Sequence, residues 1–216
     1  MFDINSFFKE YDTESVRLEI QNRNLEILVP KTIDRFLDPA NLMQDFPLWA
    51  KIWSASVVLA EHLAAMEVNR QETFLEIGAG LGVVGIAAAA CGHRITLTEY
   101  NPDALNFVRA NACRNNCRDL PVHELDWNRP LLFDTFDYIV GSEVTYREED
   151  LDPLIRLFRK LLKPGGEVIL AGEMRQISKA AYKKLDGEFD LRVQKKVLRL
   201  QDEKTPIFLF RMRARE

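Results

Sequence analysis

Residues 73–91 read TFLEIGAGLGVVGIAAAAC, and this stretch decides the fold of the chain. It begins with a short apolar run, continues through a glycine-dense turn and ends in small residues. This order is typical of a buried parallel strand, a tight turn that faces a ligand, and a helix packed closely on the sheet. Glycine lets the backbone bend sharply and approach a ligand where a Cβ would block it. The stretch therefore predicts an α/β fold with a ligand site at the turn.

The residues around the turn bear on which ligand it binds. Glu76 precedes the first glycine by two residues, and we expect its carboxylate to face the ligand. There it would repel a dinucleotide pyrophosphate and attract a ligand with an ammonium and a sulfonium group, such as S-adenosylmethionine. The glycines follow the spacing GxGxG at Gly78, Gly80 and Gly82, with a further Gly85, so they do not fit the dinucleotide pattern GxGxxG cleanly. Gly78, Ala79 and Gly80 are the predicted cofactor contacts.

A second carboxylate, Glu99, ends the next predicted strand, at residues 94–98. Its distance beyond the glycines is typical of an acidic side chain that accepts hydrogen bonds from ribose hydroxyls. This feature fits NAD and S-adenosylmethionine equally well, so it supports a nucleoside without choosing between them. The alternative is that Glu99 only caps the helix that begins at Asn101-Pro102-Asp103.

Two further residues at a strand end favour an adenine site. Residues 122–125 read as a short strand, and Asp126 and Trp127 follow it. The carboxylate can accept a hydrogen bond from the adenine amino group, and the indole can cover the ring face, as aromatic side chains do with bases elsewhere. The alternative is an ordinary turn with a core tryptophan.

Longer stretches resemble a known family. Residues 76–105, EIGAGLGVVGIAAAACGHRITLTEYNPDAL, are similar to the first two motifs of class I, seven-stranded S-adenosylmethionine-dependent methyltransferases. Together with LWAKIWSASVVLAEHL at 48–63, LDW at 125–127 and SEVTY at 142–146, they resemble methyltransferase family 16, many members of which are protein-lysine methyltransferases. The resemblance covers residues 48–174 best. It implies an enzyme with S-adenosyl-L-methionine as cofactor and a protein substrate as partner.

The resemblance also implies roles for individual residues. A tryptophan at the start of the helix before the glycine turn lies beside the cofactor in this family, and Trp53 matches it best, with Trp49 as the alternative. Ser142 matches a position that touches the cofactor. Glu143 and Tyr146 are similar to the family's Asp-x-x-Tyr and are the predicted catalytic residues that hold the acceptor amine. Glu143 is one methylene longer than Asp, which leaves the acceptor open.

The segment after the fourth strand also bears on the acceptor. DNA-adenine and release-factor glutamine methyltransferases carry Asn/Asp-Pro-Pro-aromatic there, and residues 141–146 contain no proline. The three histidines, His62, His93 and His123, form no recognisable catalytic set. Cys113 and Cys117 are four residues apart without a histidine pair, so we predict no metal site.

The remaining pattern predicts one methyltransferase domain over residues 1–216, with an N-terminal arm and hairpin at 1–47 and a catalytic core at 48–216. A terminal antiparallel pair after five βα units is typical of the methyltransferases that the chain resembles. The resemblance therefore implies a Rossmann-like, doubly wound seven-stranded sheet in the core, with the order 3-2-1-4-5-7-6 and strand 7 antiparallel. The predicted elements of the whole chain are an N-terminal hairpin over 16–29 with a four-residue turn at 21–24, helices over 48–66, 102–115, 151–162 and 178–185, strands over 136–140 and 167–171, and a closing hairpin of 189–200 with 207–212.

Composition narrows the class of protein. The chain has 216 residues, of which 47% are hydrophobic, and a net charge of −4, which gives no global basic surface for nucleic acid. No secretory signal or transmembrane run is visible, and three cysteines fit a reducing cytoplasm. The oligomeric state stays open.

These observations predict an S-adenosylmethionine-dependent methyltransferase that acts on a protein lysine. The alternatives are a small-molecule or arginine methyltransferase on the same fold, and a catalytically inert protein that binds the cofactor or a partner.

Overall fold

The computed structural model describes residues 2–38, 46–132, 134–144, 148–173, 179–200 and 203–215. The helices are α1 Ile4–Glu10, α2 Ser54–Ala64, α3 Val83–Cys91, α4 Pro102–Arg114, α5 Leu151–Leu161 and α6 Lys179–Glu188. The strands are β1 Thr13–Ile20, β2 Arg23–Pro30, β3 Thr73–Glu76, β4 Arg94–Glu99, β5 Val122–Glu124, β6 Phe136–Ser142, β7 Leu162–Gly172, β8 Phe189–Leu200 and β9 Glu203–Ala214. Among the described residues, no helix is long and apolar enough to cross a membrane.

The main sheet has seven strands in the order β5-β4-β3-β6-β7-β9-β8. Strand β9 pairs antiparallel with both β7 and β8, whereas the pairs among β3 to β7 are parallel. Numbered within this sheet, the order is 3-2-1-4-5-7-6, which confirms the predicted topology. The chain leaves β3 towards β4 on one side and later returns to β6 on the other, so a crevice opens at the carboxyl ends of these strands.

Helices cover both faces of the sheet. On one face, Leu157 and Phe158 of α5 and Leu185 of α6 pack with the apolar side chains of β6 and β7. On the other face, Leu59 and Leu63 of α2 pack with residues of β3, β4, β6, β7 and β9. Burial of both faces matches the apolar runs at residues 74–75 of β3 and 168–171 of β7.

The N-terminal hairpin is a separate two-stranded sheet of β1 and β2. Its turn is two residues, Gln21 and Asn22, both with positive φ (46° and 62°), and therefore shorter than the four-residue turn expected. The hairpin packs against α4, where the fully buried Asn111 accepts from the Leu28 N–H at 2.7 Å and donates to the Leu28 carbonyl at 3.1 Å. The same amide donates to the Leu81 carbonyl at 2.9 Å. One side chain thus ties hairpin, helix and glycine turn together.

The helix predicted over 48–66 is interrupted, and this prediction was wrong in extent. A 3-10 turn at Leu48–Ala50 is followed by extended backbone at Lys51 and Trp53, and α2 begins only at Ser54. The indole N–H of Trp53 donates to the Leu48 carbonyl at 2.8 Å, which holds the interruption in place. Strand β7 also begins earlier than expected, at Leu162.

Gly85 of α3 provides a test of how closely α3 packs on the sheet. A Cβ at this position would overlap the Glu76 carboxylate and lie 2.5 Å from Leu97 Cγ. We expect Gly85→Ala to lower the free energy of unfolding by about 1–3 kcal/mol, as overpacking does in other cores. Urea unfolding of the variant and the unmodified protein measures this change in the free energy of unfolding.

Gly187 of α6 is the matched control, because a Cβ there meets nothing within 4 Å. Gly187→Ala should leave stability unchanged or raise it by up to about 1 kcal/mol through helix propensity. Equal unfolding midpoints for Gly85→Ala and the unmodified protein would contradict this account of the packing.

Candidate functional site

A cavity of about 490 Å³ opens at the carboxyl ends of β3, β4, β5 and β6. Its size lies within the range of small-molecule and cofactor sites. The predicted cofactor and acceptor residues in its wall are Trp53, Gly78, Ala79, Gly80, Glu99, Asp126, Trp127, Ser142 and Glu143. Tyr146 lies outside the described residues, so its predicted catalytic role stays a prediction.

The glycine turn forms the floor of the cavity. Gly78 and Gly80 have φ values of +60° and +56°, a region that favours glycine. A Cβ at Gly78 would lie 3.0 Å from Val144 Cγ1 and 3.5 Å from Trp127 Cζ2, and one at Gly80 would lie 3.4 Å from the Trp49 carbonyl oxygen. The conformation therefore favours glycine at both positions, and at Gly78 the space for a side chain is also limited.

The Glu99 carboxylate is fixed by backbone N–H groups. Its Oε2 accepts from the Gly80 N–H at 2.9 Å, and its Oε1 accepts from Tyr100 at 2.7 Å and from Asn101 at 3.1 Å. The helix-cap role is filled by Asn101, whose Oδ1 accepts from the Ala104 N–H at 3.0 Å. Glu99 therefore joins the end of β4 to the glycine turn and presents a carboxylate on the cavity wall.

Asp126 and Trp127 form the wall beyond β5. Asp126 Oδ1 accepts from the Asn128 backbone N–H at 2.8 Å and from its side-chain amide at 3.2 Å, which fixes the carboxylate. The Trp127 indole packs against the buried cluster around Leu125 and also lines the cavity. Trp127 thus lies in both the core and the cavity wall, so a core role and an adenine-covering role are compatible.

Glu143 stands at the end of β6 in a strained conformation. Its φ is +51°, which costs a residue with a Cβ on the order of 1 kcal/mol or more. Its N–H donates to the Ala171 carbonyl at 2.8 Å, and its Oε1 accepts from the Glu173 N–H at 3.0 Å. The side chain is 5% exposed. The end of β7 therefore holds this carboxylate beside Ser142, at the cavity wall.

Glu76 does not face the cavity as expected. It is 1% exposed, and its Oε2 accepts from the Gly85 N–H at 2.9 Å beneath the turn. The side chain turns towards α3 because Gly85 leaves space for it. Burial raises the pKa of Glu76 to about 8, against the lowering effect of the Gly85 hydrogen bond and with a smaller contribution from Glu99.

The interruption before α2 brings further residues to the site. Trp53 lines the cavity, and the Lys51 ammonium lies 4.9 Å from the centre of its ring, a cation–π contact. Trp49 also lines the cavity, but its ring packs on Phe36 at 4.8 Å and Phe107 at 5.3 Å. The role of Trp53 beside the cofactor, with Trp49 as the alternative, stays a prediction.

Sequence reasoning missed several wall residues, among them Lys51, Tyr100, Val144 and Asp150. Tyr100 is 63% exposed and directly follows Glu99, a position from which it could have been proposed. The others reach the cavity through loop conformation, which local sequence does not show.

The charge of the wall distinguishes between ligands. The described wall residues include four carboxylates, those of Glu99, Asp126, Glu143 and Asp150, and one ammonium, that of Lys51. Such a wall disfavours a pyrophosphate and favours a ligand with positive charge. These wall residues, and not the buried Glu76, therefore disfavour a pyrophosphate in the cavity.

A family model described as "Lysine methyltransferase" (Methyltransf_16) matches residues 43–188. The chain belongs to this family. Its fold is that of other methyltransferases: a ribosomal protein L11 methylase from Lactobacillus delbrueckii subsp. bulgaricus superposes with a TM-score of 0.57 at 23% identity, over 74% of this chain and 79% of that one.

Curated relatives fall into two classes of methyltransferase. Protein N-lysine methyltransferase METTL21A of Xenopus tropicalis is 33% identical over 132 residues, which are 58% of this chain and 61% of the relative. EEF1A lysine methyltransferase 3 of Mus musculus is 30% identical over 58% of this chain and 56% of its own length. Histone-arginine methyltransferase METTL23 of Xenopus laevis is 34% identical over 52% of this chain and 51% of its own length. The chain thus spans about half to three fifths of these relatives.

The raised pKa of Glu76 predicts a pH dependence of stability. In the folded protein Glu76 has a pKa of about 8 and keeps its proton up to about that pH, whereas the reference pKa of a free glutamate is 4.5. Because the unfolded chain binds fewer protons in this window, this contribution to stability is complete below pH 4.5 and is lost as pH rises towards 8. The slope is at most about 1.4 kcal/mol per pH unit.

Glu76→Gln removes the titration and keeps an oxygen that can accept from Gly85. Chemical unfolding at several pH values between 5 and 8 should show the unmodified protein losing stability relative to this variant. Parallel pH profiles would show that Glu76 is ionised in the folded state.

Proposed function

We propose that the protein is a methyltransferase that transfers the methyl group of S-adenosylmethionine to the side chain of a lysine in a substrate protein. The observation that carries the proposal is the fixed Glu99 carboxylate, which lies in one cavity with the glycine turn, Trp127 and Glu143. Membership of the lysine methyltransferase family and the two lysine-methylating relatives support it.

The wall residues fit the proposed cofactor. The Glu99 carboxylate is suited to accept from ribose hydroxyls, Asp126 from the adenine amino group, and Trp127 to cover the adenine. Gly78, Ala79 and Gly80 leave room for close approach, and Trp53 and Ser142 line the same space. Glu76 contributes from beneath by holding the turn. When bound, the cofactor supplies a methyl group on a sulfonium whose leaving group is a neutral thioether.

The acceptor side of the site must align an amine and help it lose a proton. A lysine has a reference pKa near 10.4, so little of it is neutral at pH 7. The Glu143 carboxylate attracts the ammonium and orients it, and by itself it would raise the pKa of that lysine. We assign Glu143 to positioning and to accepting the proton through water, and Tyr146 to the same acceptor site. Alignment supplies the main rate enhancement.

Arginine methylation is the second candidate, because one relative of similar identity is a histone-arginine methyltransferase. Methylation with radiolabelled S-adenosylmethionine in extract of the source cell tests both. Gel separation, acid hydrolysis and amino-acid analysis should place the label on methyllysine. Label on methylarginine or on a small molecule would show that lysine is not the acceptor. Cofactor binding without any methyl transfer would favour a catalytically inert protein.

We also propose a cytoplasmic location. Cys91, Cys113 and Cys117 are all free, which fits a reducing compartment. Fractionation of the source cell with antibody detection would place the protein, and recovery only from an oxidising compartment would exclude this location.

Replacement of Glu99 tests the ribose contact. Glu99→Gln should weaken binding of S-adenosylhomocysteine by about ten- to 150-fold, the worth of a charge-assisted hydrogen bond of about 1.5–3 kcal/mol. Titration calorimetry measures the affinity. Glu124→Gln is the matched control, because Glu124 pairs with Glu99 in the sheet register but is exposed and outside the cavity wall. Equal affinity of both variants would remove Glu99 from the cofactor site.

Replacement of Glu143 tests the acceptor side. Glu143→Gln keeps the volume and an oxygen that can accept from Glu173, so cofactor affinity should stay within about twofold, while single-turnover methyl transfer falls by about 100-fold or more, as for loss of a general base. The protein substrate is the one found by the labelling experiment. Undiminished transfer would show that Glu143 does not act on the acceptor.

A further inference from the structure

The outer edge of the sheet combines three features that the reaction site does not use. Strand β8 ends the sheet, and no described strand pairs with its other edge. Residues 192–197 are all exposed, on both faces of the strand, including Val193 at 39% and Val197 at 47%. A strand open on one edge and both faces is a template for pairing with another chain.

This edge is basic in an acidic protein. Over Phe189–Leu200, the edge strand β8, the sequence has four Lys and Arg against one Asp, whereas the whole chain has 29 Lys and Arg against 33 Asp and Glu. On the exposed part of β8 the cations are Arg192, Lys195 and Lys196. Their repulsion disfavours pairing with a second copy, because like charges would face one another across the new strand pair. The same charges favour an acidic segment.

The edge is aligned with the acceptor side of the site. Ser142 pairs with Ala171, and in the next row Gly172 pairs with Phe208, which pairs with Lys195. The β8–β9 hairpin continues beyond this row, past the carboxyl end of β7. Lys195 therefore lies level with the strand end that carries Glu143, three strands away.

We propose that β8 is the docking site for an extended acidic segment of the protein substrate, which adds to the sheet as an eighth strand. Backbone hydrogen bonds hold the segment, and Arg192, Lys195 and Lys196 select its charge. The proposal deepens the proposed function, since it assigns a recognition surface to the same substrate.

The sheet geometry sets the distance from this segment to the acceptor lysine. A docked strand lies four strand spacings from β6, about 19 Å at about 4.8 Å per spacing. At about 3.3 Å per residue, an extended connection of this length needs about six residues. Substrates should therefore carry an acidic extended segment about six or more residues from the methylated lysine.

Defined peptides test the docking site without knowledge of the substrate. The probe is a fluorescein-labelled decapeptide of alternating Glu and Thr. One control replaces each Glu by Lys, and another keeps the sequence but is methylated at every backbone nitrogen, which removes strand pairing and keeps the charge. Fluorescence anisotropy at low salt should show that the probe binds the protein and that neither control peptide does. Hydrogen exchange of the full-length protein should slow at residues 192–197 when the probe is present.

Charge reversal on the strand provides the matched pair of variants. Lys195→Glu with Lys196→Glu should weaken probe binding by about tenfold at low salt, with a smaller difference at 0.5 M salt, where surface charges are screened. Lys9→Glu with Arg118→Glu makes the same change in net charge at exposed residues elsewhere and should leave binding unchanged. Thermal melting confirms that both variants are folded.

Several results would overturn the proposal. These are equal binding of the basic or the N-methylated peptide, undiminished binding by the β8 variant, slowed exchange at other residues only, or a β8-paired dimer in sedimentation experiments. Neither readout needs methyl transfer. Failure here therefore leaves the proposed reaction standing, and a failure to detect transfer leaves the docking result intact.

Discussion

The structure depends on the close approach of α3 to β3 and β4, which is possible only at Gly85. With no side chain at this position, the Glu76 carboxylate fits between helix and strand and accepts from the Gly85 N–H at 2.9 Å. The helix N-terminus lies directly behind the glycine turn as a result. Because the turn is held from beneath in this way, its outer face is left for a ligand.

A second carboxylate, that of Glu99, connects the glycine turn to the ligand cavity. Glu99 ends the neighbouring strand and accepts from Gly80 in the turn, as well as from two N–H groups of its own segment. The N–H of Ala79 donates to the Thr98 carbonyl at 2.9 Å and adds to the same junction. A carboxylate bound at several points loses little entropy when a ligand hydroxyl joins it, so the wall is preorganised for binding.

The acceptor side is built differently, with strain where the cofactor side has relaxed hydrogen bonding. Glu143 adopts a left-handed backbone conformation and is held by the Glu173 N–H and the Ala171 carbonyl at the end of β7. The next strands outward, β9 and β8, extend past this point. The strand end that carries Glu143 is therefore joined through β7 and β9 to the basic edge strand β8, so the proposed acceptor site and the proposed docking strand belong to one sheet.

The sheet order was predicted from the resemblance to seven-stranded methyltransferases. The amino-acid sequence by itself determined the glycine turn and the strand ends that carry Glu99, Asp126, Trp127 and Glu143. These features depend on local patterns: buried strands are apolar, turns need glycine, and parallel strands bring their carboxyl ends to one edge. The sequence also located the N-terminal hairpin, although not the length of its turn.

Only the tertiary structure decided where side chains point. Glu76 turns beneath the glycine turn because a glycine nine residues later leaves space there, a relation between helix and strand that no local pattern contains. Lys51 and Trp53 reach the cavity because the predicted helix is interrupted before Ser54 by a hydrogen bond from the Trp53 indole to Leu48. Such contacts form between segments after they pack, so their geometry depends on the whole fold and not on the residues beside them.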